Sequence, residues 1–185
     1  MNQTTNVSSF TVTPNSYVAN DSSLYTFNVA FQITRYSGDR VLITLPTDVI
    51  LSSTFDCSSL TTGMTISCSK YDSTTVNFIL NFVNGSLSGQ QNIKFTLSNL
   101  TNLWYAATRT FSVQATTNDT IYYYQESGSN VVNYQPAVLT SSINNDNNII
   151  LLGQSRVSVT LTSPYKLDRV NNTYTQFYII MQVPI

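Results

Sequence analysis

The chain has no histidine, and that absence removes a large part of enzyme chemistry. The commonest general base is missing, so Ser-His-Asp and Cys-His nucleophilic arrangements cannot be assembled. A mixed Cys/His metal site is excluded, and two cysteines alone cannot close a tetrahedral zinc site. Carboxylates are also scarce. Glu126 is the sole glutamate, and Asp21, Asp39, Asp48, Asp56, Asp72, Asp119, Asp146 and Asp168 stand one at a time. Two of them meeting from distant loops would suit glycoside hydrolysis, but single Asp residues in polar turns read first as turn-forming groups. Asn144 to Asn148 offers a calcium ion only Asp146 as a charged ligand, which favours a polar turn. No Gly-rich phosphate loop is present. The expectation is a chain with no catalytic residue, no metal and no cofactor, and so not an enzyme.

Charge is the second shortage. Only 9% of residues are charged, against about 25% in ordinary proteins. The eight basic residues are scattered singly and the net charge is −1, so no run of phosphates is neutralised and nucleic acid is excluded as a partner. No apolar run exceeds a handful of residues, Phe177 to Met181 being the longest, whereas a membrane span needs about 20. The first residues lack a charged stretch followed by an apolar one, which predicts no signal peptide in this sequence. A secreted protein would then be present here in mature form or as part of something longer.

Polar surface is supplied instead by 24 serines, 26 threonines and 20 asparagines, 70 of 185 positions. Disorder does not follow, because disordered chains lack aromatics and this one has 12 Tyr, 9 Phe and 1 Trp. Thr, Tyr, Phe and Val are the alphabet of pleated, half-buried strands. Alternation confirms the period. Tyr25, Phe27, Val29, Phe31 and Ile33 form one apolar row, and Val41, Ile43 and Leu45 a second that stops at Pro46. Val76 to Phe82, Ile93 to Leu97 and Phe111 to Ala115 repeat the pattern. Further strands are expected at Ser9 to Thr13, Met64 to Cys68, Val131 to Thr140, Arg156 to Thr162 and Gln176 to Val183. Turns are expected at Asn20-Asp21-Ser22, Ser37-Gly38-Asp39, Asn84-Gly85-Ser86, Asn118-Asp119 and Ser127-Gly128-Ser129. No segment carries a helical stripe. Many short antiparallel strands with one polar face predict an all-β, immunoglobulin-like sandwich.

Cys57 and Cys68 stand eleven positions apart. One reading is a disulfide closing a short loop in an oxidising compartment, worth roughly 3 kcal/mol; the other is a pair of buried free thiols. Seven Asn-x-Ser/Thr triplets, at Asn2, Asn6, Asn20, Asn84, Asn99, Asn118 and Asn171, are candidate N-glycosylation sites. Random placement in this composition already yields about five, so position counts for more than number. Asn20, Asn84 and Asn118 fall where turns are expected.

An internal comparison suggests a repeat. Phe10-Thr11-Val12, an Asn-containing turn, Tyr25 to Ile33, a turn and Val41 to Pro46 read in the same order as five segments near the C-terminus. Those are Val138-Leu139-Thr140, the Asn144 to Asn148 turn, Val157 to Leu161, a longer turn and Phe177 to Pro184. The repeat unit would be somewhat over 130 residues long. The domains then expected are a complete sandwich over 1–125 and, over 126–185, the opening strands of a second. The C-terminal strands would belong to a partial sandwich or be completed by a neighbouring copy.

The order of five motifs carries a resemblance. They are the strand Tyr25 to Phe31, Ile43-Thr44-Leu45-Pro46, Cys57 with Cys68, Asn99-Leu100-Thr101-Asn102, and Phe111 to Thr117. In that order they resemble repeat modules of very large, ciliate-type protist surface proteins. The glycine usual before the Leu-Pro strand is displaced here to Gly38. The resemblance implies an extracellular, glycosylated, tandem immunoglobulin-like array with a structural role, and it supplies no catalytic residues.

Two aromatic clusters remain, Trp104-Tyr105 and Tyr122-Tyr123-Tyr124. Both suit a protein contact or a sugar ring. Tyr122 to Tyr124 falls where one repeat would pass to the next, which favours a junction. Trp104, close to the triplet at Asn99, suits stacking on a glycan. The function expected is a structural unit of an extracellular filament or surface coat, whose partners are copies of itself or adjacent repeats and N-linked glycans. The alternative is a monomeric adhesin or carbohydrate-binding module.

Overall fold

A computed structural model describes residues 2–118, 123–136, 140–145 and 157–162, with side chains over 4–118 and 125–136. The chain divides into two units, Met1–Ala137 and Val138–Ile185. Among the described residues of the first unit, the sequence's alternating rows resolve into thirteen strands, eleven of them in two facing sheets. In chain order these begin with β1 (Asn2–Asn6), β2 (Ser9–Pro14), β3 (Ser22–Ala30), β4 (Arg35–Tyr36) and β5 (Arg40–Thr44). There follow β6 (Ile50–Leu51), β7 (Cys57–Ser59), β8 (Met64–Lys70), β9 (Thr75–Phe82) and β10 (Ser86–Leu87). The longest come last: β11 (Asn92–Thr101), β12 (Thr108–Thr116) and β13 (Tyr123–Asn133).

One sheet has the order β1-β13-β12-β5-β9-β8, and the other β2-β3-β11-β6 with β7 also on β11. A short β4–β10 ribbon stands beside them. Among the described residues there is no helix. The chain is an all-β, immunoglobulin-like sandwich.

The rows Tyr25 to Phe31, Val41 to Leu45, Val76 to Phe82, Ile93 to Leu97 and Phe111 to Ala115 point inward, while Ile33 is half-buried. Phe27 is the centre of the core, with ring centroids of Phe95, Phe78, Phe10, Tyr25 and Phe111 between 5.5 and 6.5 Å away. Phe78 and Phe95 close the space between the sheets at 4.7 Å. Cys57 of β7 and Cys68 of β8 form a disulfide, which staples one sheet to the other along the side where β8 would otherwise be an open edge.

Two expectations change. Ser127-Gly128-Ser129 is not a turn but the middle of β13, with Gly128 opposite Val113 of β12. The glycine serves close approach: a Cβ there would lie 2.4 Å from Val7 Cγ2 and 3.7 Å from Phe10 Cβ. Consequently β13 starts at Tyr123, and the first unit runs to Ala137 rather than ending at 125. The expected strand Val131 to Thr140 is the end of β13 plus the start of the next one. The second difference is β1, a strand with no apolar residue, which pairs with β13 in parallel from Asn2↔Tyr123 to Asn6↔Ser127.

In the second unit, β14 (Thr140–Asn145) pairs antiparallel with β15 (Val157–Thr162), from Thr140↔Thr162 to Asn145↔Val157. The first unit opens its antiparallel sheet in the same order, with β2 on β3. The expected strand Gln176 to Val183 lies outside the described residues.

Candidate functional site

The β11–β12 connection carries the chain's single tryptophan, and the residues ahead of it explain why that ring is presented outward. Asn102 is buried; its Nδ2 donates to the carbonyls of Ser16 (2.9 Å) and Val18 (2.7 Å), and its Oδ1 accepts from the Tyr25 hydroxyl. Leu103 is fully buried. With two successive residues fixed inward, Trp104 is left 65% exposed.

Beneath it lies a brace drawn from three segments. The Tyr105 ring meets the Trp104 ring edge-on at 4.8 Å. Its hydroxyl donates to Asp48 Oδ2 at 2.9 Å and accepts from Arg109 Nη2. Arg109 Nε reaches both oxygens of Asp48 (3.1 and 2.8 Å), while Nη1 donates to the Thr108 carbonyl at 3.0 Å. The guanidinium also sits 5.3 Å from the Tyr105 ring centre. Hydrogen bonding from Arg109 holds the Asp48 carboxyl below its ordinary range. The hydrogen bond to Asp48 pushes the Tyr105 phenol up, so the brace keeps one protonation state around neutrality. The result is an exposed Trp104 ring resting edge-on against a Tyr105 side chain that Asp48 and Arg109 hold in place.

A second network lies inside the sandwich. Arg35 and Glu126 are an ion pair with side chains 1% and 0% exposed. Glu126 Oε1 accepts from the Gln32 backbone at 2.6 Å, and the Arg35 guanidinium lies 4.7 Å from the centre of the Phe31 ring. Asp39 Oδ2 stands 3.9 Å from Arg35 Nη1, while its oxygens accept from the backbone of Tyr36 (3.1 Å) and Asn118 (2.9 Å). Asp39, read from the sequence as a turn residue, and Glu126, the sole glutamate, therefore share one arginine, sealed from solvent. A third buried group is the phenol pair Tyr25 and Tyr134, 2.7 Å apart, whose burial raises both, Tyr134 to about 12.

The other candidates scatter. Asn6, Asn20, Asn84, Asn99 and Asn118 are all exposed. Asn20 and Asn99 adopt left-handed backbone (φ 65° and 59°), and Asn99 Nδ2 donates to the Thr54 carbonyl at 2.7 Å. Asn2 lies in β1, whereas Asn171 and Tyr122 fall outside the described residues. Tyr123 and Tyr124 open β13 with their backbones paired to Asn2 and Gln3, so this run lies inside the first unit and not at its boundary. Two shallow depressions of about 440 and 420 Å³ lie on the outer face of the six-stranded sheet. Amides and hydroxyls such as Asn77, Gln114, Ser127 and Ser129 line them, and neither holds a carboxylate. Among the described residues, no three of Cys, Asp and Glu gather as metal ligands would. The sequence singled out Trp104 and Tyr105 but not Asp48 and Arg109, whose spacing along the chain gives no hint of their meeting.

No protein-family model matches the sequence, and no curated protein does. Among solved structures, the chain is similar to a cohesin module from a family 33 glycoside hydrolase of Clostridium perfringens, at 10% identity, covering 72% of this chain and 100% of that one with a TM-score of 0.49. It is also similar to BslA, a bacterial hydrophobin (18% identity, 70% and 92% covered, TM-score 0.41). A third is an uncharacterized protein from Nocardia farcinica with an immunoglobulin-like fold (20% identity, 72% and 88% covered, TM-score 0.42). Nothing about a ligand or partner of this chain follows from these likenesses.

Proposed function

We propose that this chain is a non-catalytic structural module of an extracellular, glycosylated filament or surface coat, built from successive sandwich units. One observation carries the reading. Because β1 runs parallel to β13, the chain enters the first sandwich beside Tyr123 and leaves it past Asn133, about 33 Å away along the strand. A unit entered at one end and left at the other passes its neighbours along a line. Three features support the reading: the disulfide, the exposed Asn-x-Ser/Thr triplets, and a second unit whose β14–β15 pair is antiparallel as β2–β3 is in the first. The resemblance to ciliate-type surface repeats points the same way.

Electron microscopy of native material tests it. Filaments or sheets with a period matching one sandwich unit are expected, and removal of residues 1–13 or 150–185 should abolish them. Monodisperse single-chain particles, or normal assembly by the truncated chains, would refute it.

A second reading is favoured by one specific feature, the braced and exposed Trp104. In it, the module is an adhesin or carbohydrate-binding domain that stacks a sugar ring on Trp104. Glycan-array binding that disappears in Trp104→Ala, in a chain that remains monomeric, would move this reading to first place.

A further inference from the structure

We infer that the β1–β13 pair is a mechanical clamp, which resists tension passing along the chain by loading its hydrogen bonds in shear. The inference deepens the tandem-module reading and draws its biological meaning from it. It follows from the direction of two strands. Tension applied at the N-terminal end pulls β1 back at Asn2, and tension applied beyond the unit pulls β13 forward through the residues after Asn133. In a parallel pair these pulls slide one strand along the other, at right angles to the bonds between them. All five paired positions, Asn2↔Tyr123 to Asn6↔Ser127, then share the load. Had the two strands been antiparallel, both pulls would act at one end and open the bonds one at a time.

The remaining contacts suit that task. β13 is bound into the body of the unit much more firmly than β1 is bound to β13. It has a nine-position ladder with β12 and the buried Glu126–Arg35 ion pair. Asn130 Oδ1 accepts from the Val12 backbone (3.1 Å), and just past the strand Tyr134 is anchored on Tyr25. Sliding must therefore occur between β1 and β13. There it meets a steric stop. Val7, whose amide donates to the Ser127 carbonyl at 2.9 Å, sits in the notch left by the missing side chain of Gly128. Any axial movement carries Val7 out of that notch and against its neighbours. A strand without one apolar residue gains little from burial, so its place in the sheet is explained by backbone pairing and by this stop.

Single-molecule force spectroscopy on the full chain tests the clamp by changing only the direction of pull. In the first geometry, handles are attached at the two chain ends. In the second, one handle stays at the N-terminal end and the other is placed in the Asn84-Gly85 turn. That turn follows β9, which runs opposite to β13, so it lies at the same end of the sheet as Asn2, and the pull peels β1 away. Unfolding of the first unit is recognised end to end by a length gain of roughly 400 Å, with the disulfide loop closed. Its rupture force should be about threefold or more above that in the second geometry, since several bonds break together instead of in turn. Val7→Ala should lower the end-to-end force. Equal forces in the two geometries, or an end-to-end force unchanged by Val7→Ala, would overturn the inference. The readout needs no filament. A direction-dependent force in a chain that never assembles would leave the clamp and remove the filament reading, and equal forces in a chain that assembles would do the reverse.

Discussion

Replacing Glu126 with glutamine probes the least expected feature of the sandwich. The side chain is 0% exposed and its partner Arg35 is 1% exposed, so neither has water to fall back on. In Glu126→Gln the amide oxygen still accepts from the Gln32 backbone, but the guanidinium loses its charged partner and keeps only Asp39, 3.9 Å away. Removing one member of a buried pair costs about 3–5 kcal/mol, because the other charge stays buried without compensation. That is a large part of the 5–15 kcal/mol, approximately, that holds a domain folded. For a unit of this size it corresponds to a fall in Tm of about 10–17 °C. The assay is urea unfolding followed by circular dichroism, with calorimetry for Tm. The double variant Arg35→Met/Glu126→Leu should recover part of the loss, since a buried pair exchanged for apolar groups of similar volume is often neutral or stabilising, while Asp39 loses its arginine and keeps its backbone donors at Tyr36 and Asn118. A loss below about 1 kcal/mol in Glu126→Gln, within the range of an ordinary surface substitution, would refute the reasoning.

Reducing the disulfide, or replacing Cys57 and Cys68 with serine, should lower the stability of the first unit by roughly 3 kcal/mol; chemical denaturation with and without reductant measures it. Trp104→Ala should cost less than about 1 kcal/mol, since the exposed ring makes one edge contact with Tyr105, and a larger loss in thermal unfolding would make Trp104 a structural cap instead of a contact residue. The Asp48 carboxyl is depressed in the fold, so its contribution to stability is complete above the unfolded value of about 3.9 and disappears as pH falls through the folded value. The Tm difference between wild type and Asp48→Asn should therefore shrink on acidification through that window, and a difference that stays constant or grows would contradict the Arg109 pairing.

What the sequence made legible was whatever depends on near neighbours. In Tyr25 to Phe31, Val41 to Leu45 and Val76 to Phe82 every second residue is apolar, and that row lies in the core because a strand's two faces separate at period two. Gly128 shows the limit of the same logic. Between two serines it reads as a turn, and only the packing of Val7 against it explains a glycine within a strand. β1 was not legible at all, since Asn, Gln and Thr carry no apolar signal and its place is set by the backbone of β13. For the candidate site, Trp104 and Tyr105 stood out as a pair of large aromatics. Their brace did not, because Asp48 and Arg109 are brought together only when the Leu45–Ile50 connection folds over the start of β12.

The use of charge ties these observations together. Only 9% of the chain is charged, and five of the charged residues are gathered into two networks. Arg35, Asp39 and Glu126 lie inside the sandwich, and Asp48 with Arg109 forms the brace under Tyr105. Each network joins segments far apart in sequence. Hydrophobic contact alone tolerates sliding of one strand row past another, whereas an ion pair is satisfied in one alignment. Glu126 can reach Arg35 only when β13 is in its observed register, the register that also places Gly128 under Val7. The scarce charges thus act on alignment, and the hydroxyls and amides are left to cover the surface. A surface of that kind exerts little long-range electrostatic force, so contacts between such modules would depend on shape, backbone pairing and exposed aromatics such as Trp104.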